Sequence, residues 1–196
     1  RQMCIRDRSD TVYISNGLRE LNGNGTTFVM NKGGIYSYTY GEGGNALPVN
    51  DLIIKDLNIR PAEGAVKVHG IILQDASNAT VMNCDVQTVN DHGIIDVSTT
   101  KTRSNMFNVK FIGNRVKFLS GSDAKYGVGT FSQSTKGEID VDYRDTGICE
   151  CSKSFAVNFV FTDNVVEGFR YGLVHFYTKG HYTARNFTSG GVRGVC

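Results

Sequence analysis

Residues His69 to Val97 read HGIILQDASNATVMNCDVQTVNDHGIIDV, and this stretch decides the fold. His69-Gly70-Ile71-Ile72 returns 23 residues later as His92-Gly93-Ile94-Ile95. Between the copies lies a second apolar run, Ala79 to Val86, broken at Asn83. Two short β-prone runs per repeat, separated by small and polar residues, make one coil of a stacked structure. Such a coil cannot bury its apolar side alone and needs neighbours above and below.

The phrase continues outward from there. Tyr126-Gly127-Val128-Gly129 and Tyr171-Gly172-Leu173-Val174 have the same form: a ring, a glycine, then a strand. The other run also recurs, as VMNCDV (81–86), FIGNRV (111–116), FTDNVV (161–166) and TARNFT (183–188). Asn114, Asn164 and Asn186 share one column of that alignment, with Cys84 and Leu57 in the same place earlier. The steps between them are 27, 30, 50 and 22 residues, so the repeat is irregular. Stacked in parallel, an asparagine column can hydrogen-bond along its length.

Composition agrees with a chain built from strands. Gly 23 against Pro 2, with 40% apolar residues, fits many short strands with glycine and asparagine punctuation. No apolar helical period is sustained over three turns, and no stretch of about 18 apolar residues predicts a membrane-spanning helix. A net charge of +2 without a dense basic run excludes a nucleic-acid interface as the reading. The expected organisation is a single all-β solenoid. Residues 9–49 form irregular early coils, and residues 50–196 form regular coils with an acidic insertion near 133–153. The first eight residues, RQMCIRDR, resemble the translated read-through of a sequencing adapter, so they are set aside as a scar on a gene fragment of metagenomic type. Cys149-x-Cys151 lacks a second pair or a histidine at ligand spacing and predicts no zinc site.

The coil pattern over roughly residues 50 to 190 resembles the right-handed parallel β-helix superfamily of pectate-lyase-like proteins. That superfamily includes polysaccharide lyases, polygalacturonase-like hydrolases and phage tailspikes. His92-Gly93 resembles the G-H-G of the hydrolases, with Asp91 where the first glycine stands and no companion N-x-D or R-I-K. The resemblance implies a partial right-handed β-helix engaging an acidic polysaccharide along an outer sheet face. It implies a lyase or glycoside hydrolase, or alternatively a non-catalytic tailspike or adhesin that holds glycan. An enzyme is expected as a monomer and a tailspike as a homotrimer, outside the cell, on its surface or on a virion.

Strand alternation assigns faces relative to the glycine. Ile72, Gln74, Ile95 and Val97 are expected to point inward. The opposite face carries His69, Leu73 and Asp75, then His92, Asp96 and Ser98, then Tyr126, Thr130 and Ser132, then Tyr171, His175 and Tyr177. His92, Asp96 and His175 are the expected catalytic centre. His69, Asp75, Asp91, Tyr126, Arg170, Tyr171 and Tyr177 are the expected substrate-binding residues. In a hydrolase, Asp96 and a second acid, Asp75 or Asp91, would serve as acid and base. In a lyase, His92 or Lys125 would remove a proton beside a uronate carboxylate while Arg170 neutralises charge. The alternative is a ladder of solvent-facing residues with no chemistry. No cofactor is expected, apart from Ca²⁺ at the acidic arm Glu138 to Asp145, where several carboxylates gather.

Overall fold

The structure, a computed structural model, describes residues 11–15, 17–37, 39–40, 46–47, 49–74, 76–97, 107–120, 146–169, 171–190 and 193–195. These residues form strands and no helix, so none is long and apolar enough to cross a membrane. The strands are β1 (Val12–Ile14), β2 (Glu20–Met30), β3 (Lys32–Ser37), β4 (Thr39–Tyr40), β5 (Ala46–Leu47), β6 (Ile53–Pro61) and β7 (Lys67–Gln74). Then come β8 (Thr80–Met82), β9 (Asp85–Val89), β10 (Ile94–Val97), β11 (Lys110–Ile112), β12 (Arg115–Ser120) and β13 (Thr146–Val157). The last are β14 (Val160–Thr162), β15 (Val165–Glu167), β16 (Tyr171–Lys179), β17 (Tyr182–Ala184), β18 (Phe187–Ser189) and β19 (Arg193–Val195).

Apart from the small β4–β5 hairpin, these strands join one 17-stranded sheet. Pairing is parallel except for a single contact between Val68 and Val89. From β7 onward each strand pairs with the strand three later. One series runs β7, β10, β13, β16, β19. A second runs β8, β11, β14, β17, and a third β9, β12, β15, β18. Earlier, β2 pairs with β6, and β1 with β3, which pairs with β7.

In-register parallel neighbours bring like residues side by side, about 4.8 Å apart. The two HGII copies are such neighbours: Ile71 pairs with Ile94 and Ile72 with Ile95. Glycines form a column there. Gly70 and Gly93 stack so closely that a Cβ on Gly70 would lie 2.3 Å from the Gly93 carbonyl oxygen. Gly147, Gly172 and Gly194 continue it, flanked by the pairs Thr146–Tyr171–Arg193 and Ile148–Leu173–Val195. Gly127, which the sequence alignment placed in this column, lies outside the described residues.

The expected facing of these strands is reversed. Ile71, Leu73 and Ile94 pack into the core, while Ile72 lines an outer cleft. The cause is an extra residue in β7. Between the pairs Gly33–Val68 and Ile35–Ile71, β3 advances two positions and β7 three. A side-chain period of two turns that single residue into a complete exchange of faces.

The apolar column Ile54, Val81, Phe111, Phe161 is buried, with Phe111 and Phe161 stacked at 5.0 Å between ring centroids. Each such side chain contributes about 1.5–3 kcal/mol by leaving water. A second column, Ile59, Val86, Val116, Val166, faces the same interior.

The bends between these two columns explain the recurring asparagines. At 83–84, 113–114, 163–164 and 185–186 the first residue is left-handed, with φ of 52°, 63°, 59° and 51°. Asparagine, aspartate and glycine tolerate that conformation. Arg185 is the exception, and its guanidinium makes a forked pair with Asp163 at 2.6 and 2.7 Å. That partner holds the Asp163 carboxyl below its ordinary range. The second residue of each bend turns inward. Asn114 donates to the Val81 carbonyl and to Asn164 Oδ1, and its own Oδ1 accepts the Cys84 N–H. Asn164 repeats the pattern with Phe111, Asn186 and the Asn114 N–H. Asn186 closes it on Phe161 and the Asn164 N–H. Cys84 heads the column; burial pushes its thiol up to about 12. On a separate, exposed corner, Asp51, Asn78, Asn108 and Asn158 are all left-handed and joined side chain to side chain, each asparagine donating to the residue before it in the series.

Candidate functional site

Beside the extra residue in β7 lies a cleft of about 760 Å³, within the usual range for ligand sites. Its lining comes from β1 (Tyr13, with Thr11 beside it), from β3 (Lys32, Gly33, Tyr36), from β7 with the residue before it (Val66, Lys67, His69, Ile72), and from Asp91 and His92 ahead of β10. Three rings form a column along the stacking direction. Tyr13 and Tyr36 lie 6.2 Å apart and Tyr36 and His69 6.3 Å, each edge to face. Tyr36 also donates its hydroxyl to Gln74 Oε1 at 3.2 Å, which fixes the ring's outer end.

Asp91 organises the polar end. Its Oδ1 accepts the His92 backbone N–H at 2.9 Å and stands 3.5 Å from His92 Nε2, while Oδ2 stands 3.5 Å from Lys67 Nζ. Asp91 and His92 are both buried, whereas the Lys67 ammonium reaches solvent. His69, 8% exposed, has Nδ1 3.3 Å from the Gly70 carbonyl oxygen. An Nδ1–H donating there leaves Nε2 as the acceptor nitrogen. Burial is the main cause holding the His69 pKa below its ordinary value; Lys67 adds to that, and Asp91 and the Gly70 hydrogen bond oppose it.

This has a consequence for stability. An imidazole kept neutral in the fold but free to protonate at about 6.5 when unfolded favours the native state fully above that pH. The contribution is lost as pH falls below about 6.5 toward the lower folded value. Denaturant unfolding at pH 7.5 and 5.5 is expected to show a steeper acid loss for the wild type than for His69→Gln. The difference is at most about 1.4 kcal/mol per pH unit for one proton. Parallel pH profiles for the two proteins would contradict it.

Of the residues expected from sequence, the cleft gathers His69, Asp91 and His92. It does not gather Asp96. Asp96 alternates with core-facing Ile94, pairs in register with core-facing Leu73 and is 0% exposed. Its Oδ1 accepts the Ala76 N–H at 3.4 Å. The expected shared face of His92 and Asp96 is therefore not present, because His92 precedes the strand and turns to the cleft. By backbone register Asp96 is followed by Glu150 and then His175 on the next two strands. Tyr171 and Tyr177 are placed by backbone only, both on β16. Asp75, Tyr126 and Arg170 lie outside the described residues, as do Lys125 and the acidic arm Glu138 to Asp145 proposed for Ca²⁺. Among the described residues no three His, Cys, Asp or Glu side chains are grouped to hold a metal ion.

Sequence reasoning missed Tyr13, Lys32, Tyr36 and Lys67. A signal was available: Gly34-Ile35-Tyr36 has the form of Gly70-Ile71-Ile72, and Ile35–Ile71 and Tyr36–Ile72 are register pairs. No protein-family model, curated protein or solved structure matches this chain.

Proposed function

We propose that the chain is a right-handed parallel β-helix of the pectate-lyase-like kind, holding an acidic polysaccharide in the Tyr13–Tyr36–His69–His92 cleft. The solenoid part of this reading draws on strand pairing at intervals of three and on the buried asparagine column. The functional part is carried by one observation: a column of rings ends at a cluster of Lys67, Asp91 and His92. Tyrosine rings offer apolar surface to sugar rings and hydroxyls to their oxygens. Lys32 and Lys67 at the cleft supply positive charge for carboxylates.

Among the described residues the cleft contains one carboxylate, Asp91. A hydrolase needs two carboxyl groups flanking the bond. The lining therefore favours proton abstraction by His92, with Lys67 beside the uronate charge, or simple retention of the glycan, over hydrolysis. Retention is the second reading, that of a tailspike or surface adhesin working outside the cell or on a virion.

Incubation with pectate, alginate and capsular glycans separates these. Ultraviolet-absorbing unsaturated ends, lost in His92→Ala, would mark a lyase. Retention on an immobilised glycan without new ends, with a trimer on sizing, would mark the binding module. Neither cleavage nor retention of any acidic glycan would sink the proposal.

A further inference from the structure

We propose that the cleft takes up its anionic ligand together with a proton, which moves from the buffer to Nε2 of His69. This rests on the acidic-glycan reading above.

Every charged or titratable group known to face this imidazole bears on the argument. From β3 come Lys32 and the Tyr36 phenol, and from β1 the Tyr13 phenol. Lys67 stands two residues away on β7 itself, and Asp91 and His92 approach from the segment before β10. The Asp91 carboxylate already has Lys67 and the His92 N–H beside it. Apart from Thr11 and Gly33, the remaining lining is apolar or aromatic: Ile72, Val66, Tyr13 and Tyr36. A buried imidazole in those surroundings stays neutral at pH 7.

A ligand carboxylate changes the balance. It displaces water from the cleft and sets a second negative charge beside groups whose one internal carboxylate is already accompanied. An opposite charge within about 4–6 Å favours the protonated imidazole. Nδ1 is turned to the Gly70 carbonyl, so Nε2 is the nitrogen that receives the proton and can then donate. Binding and protonation are then linked, each favouring the other.

Calorimetric titration of the whole chain with trigalacturonate at pH 7, in two buffers of different ionisation enthalpy, measures the protons taken up. A net uptake between zero and one is expected, with affinity rising as pH falls from 7.5 to 5.5 by up to about tenfold per pH unit. The methyl ester of the same trisaccharide should bind without uptake, and His69→Gln should bind the acid with less proton uptake and a flatter pH dependence than the wild type. Because His69→Gln also alters the cleft wall, the His69 ring proton of the wild type is followed by NMR, and its titration midpoint should rise when trigalacturonate saturates the cleft. Binding without proton uptake, equal uptake by the ester, or an unmoved midpoint overturns the coupling and leaves the glycan reading standing. Failure of both trigalacturonate and trimannuronate to bind at any of these pH values overturns both together.

Discussion

Asn164→Ala is expected to lower the unfolding free energy by about 3–5 kcal/mol, read from denaturant unfolding at pH 7. The residue is 0% exposed, and its amide makes four bonds. Nδ2 donates to the Phe111 carbonyl at 2.8 Å and to Asn186 Oδ1 at 2.9 Å. Oδ1 accepts from the Asn114 N–H and from Asn114 Nδ2, both at 3.1 Å. Alanine leaves the buried Asn114 N–H without its acceptor and takes a side-chain donor from the Phe111 carbonyl; a buried group left unpartnered costs about 1–3 kcal/mol. It also removes a link from a chain whose other members stay in place. Asn164→Asp tests the direction of the bonds: it can still accept but, when ionised, cannot donate to Phe111 or Asn186. Its loss should be comparable and should shrink as pH falls and the carboxyl protonates. By contrast, Asn108→Gly on the exposed corner is expected to change stability by under about 1 kcal/mol, since glycine suits the left-handed backbone there. If Asn164→Ala and Asn108→Gly cost the same, the buried column is not what holds the bends.

Gly70→Ala is expected to cost about 3 kcal/mol or more, at the upper end for overpacking, and to abolish the native cleft. The new methyl would meet the Gly93 carbonyl oxygen at 2.3 Å and Val86 Cγ1 at 2.5 Å. The valine can rotate, but the carbonyl belongs to a neighbouring backbone held by two bonds, Gly70 N–H to the His92 oxygen and Ile71 N–H to the Gly93 oxygen, each 2.9 Å. Relief requires the two levels to separate, and His69 and His92 stand at that point. Loss of stability with an unchanged His69 titration midpoint would show that the strain is absorbed elsewhere. Gly64→Ala is the control: its Cβ would meet nothing within 4 Å, so only its left-handed φ of 77° is penalised.

The asparagine column was legible because each Asn follows a three-residue strand with Phe or Thr at its centre and one left-handed residue, a local pattern that survives irregular spacing. The stacking of the HGII copies was legible for the same reason. The facing was not. It depends on one extra residue in β7, which shows only against β3, and nothing in HGIILQ taken alone reveals it. Asp96 was consequently placed outside when it lies in the core beside Leu73. Tyr13 and Tyr36 escaped because no asparagine follows a left-handed residue in their segment, which therefore reads as irregular. It nonetheless pairs strand by strand with β6 and β7.

The two runs of side-chain amides have opposite senses. On the exposed corner every Nδ2 points back toward the residue earlier in the chain, a direction set by Asp51, whose carboxylate can only accept. In the buried column the amide-to-amide donors point forward, from Asn114 to Asn164 to Asn186, a direction set by main-chain groups at every step. The side-chain amide dipoles of the two runs therefore oppose one another.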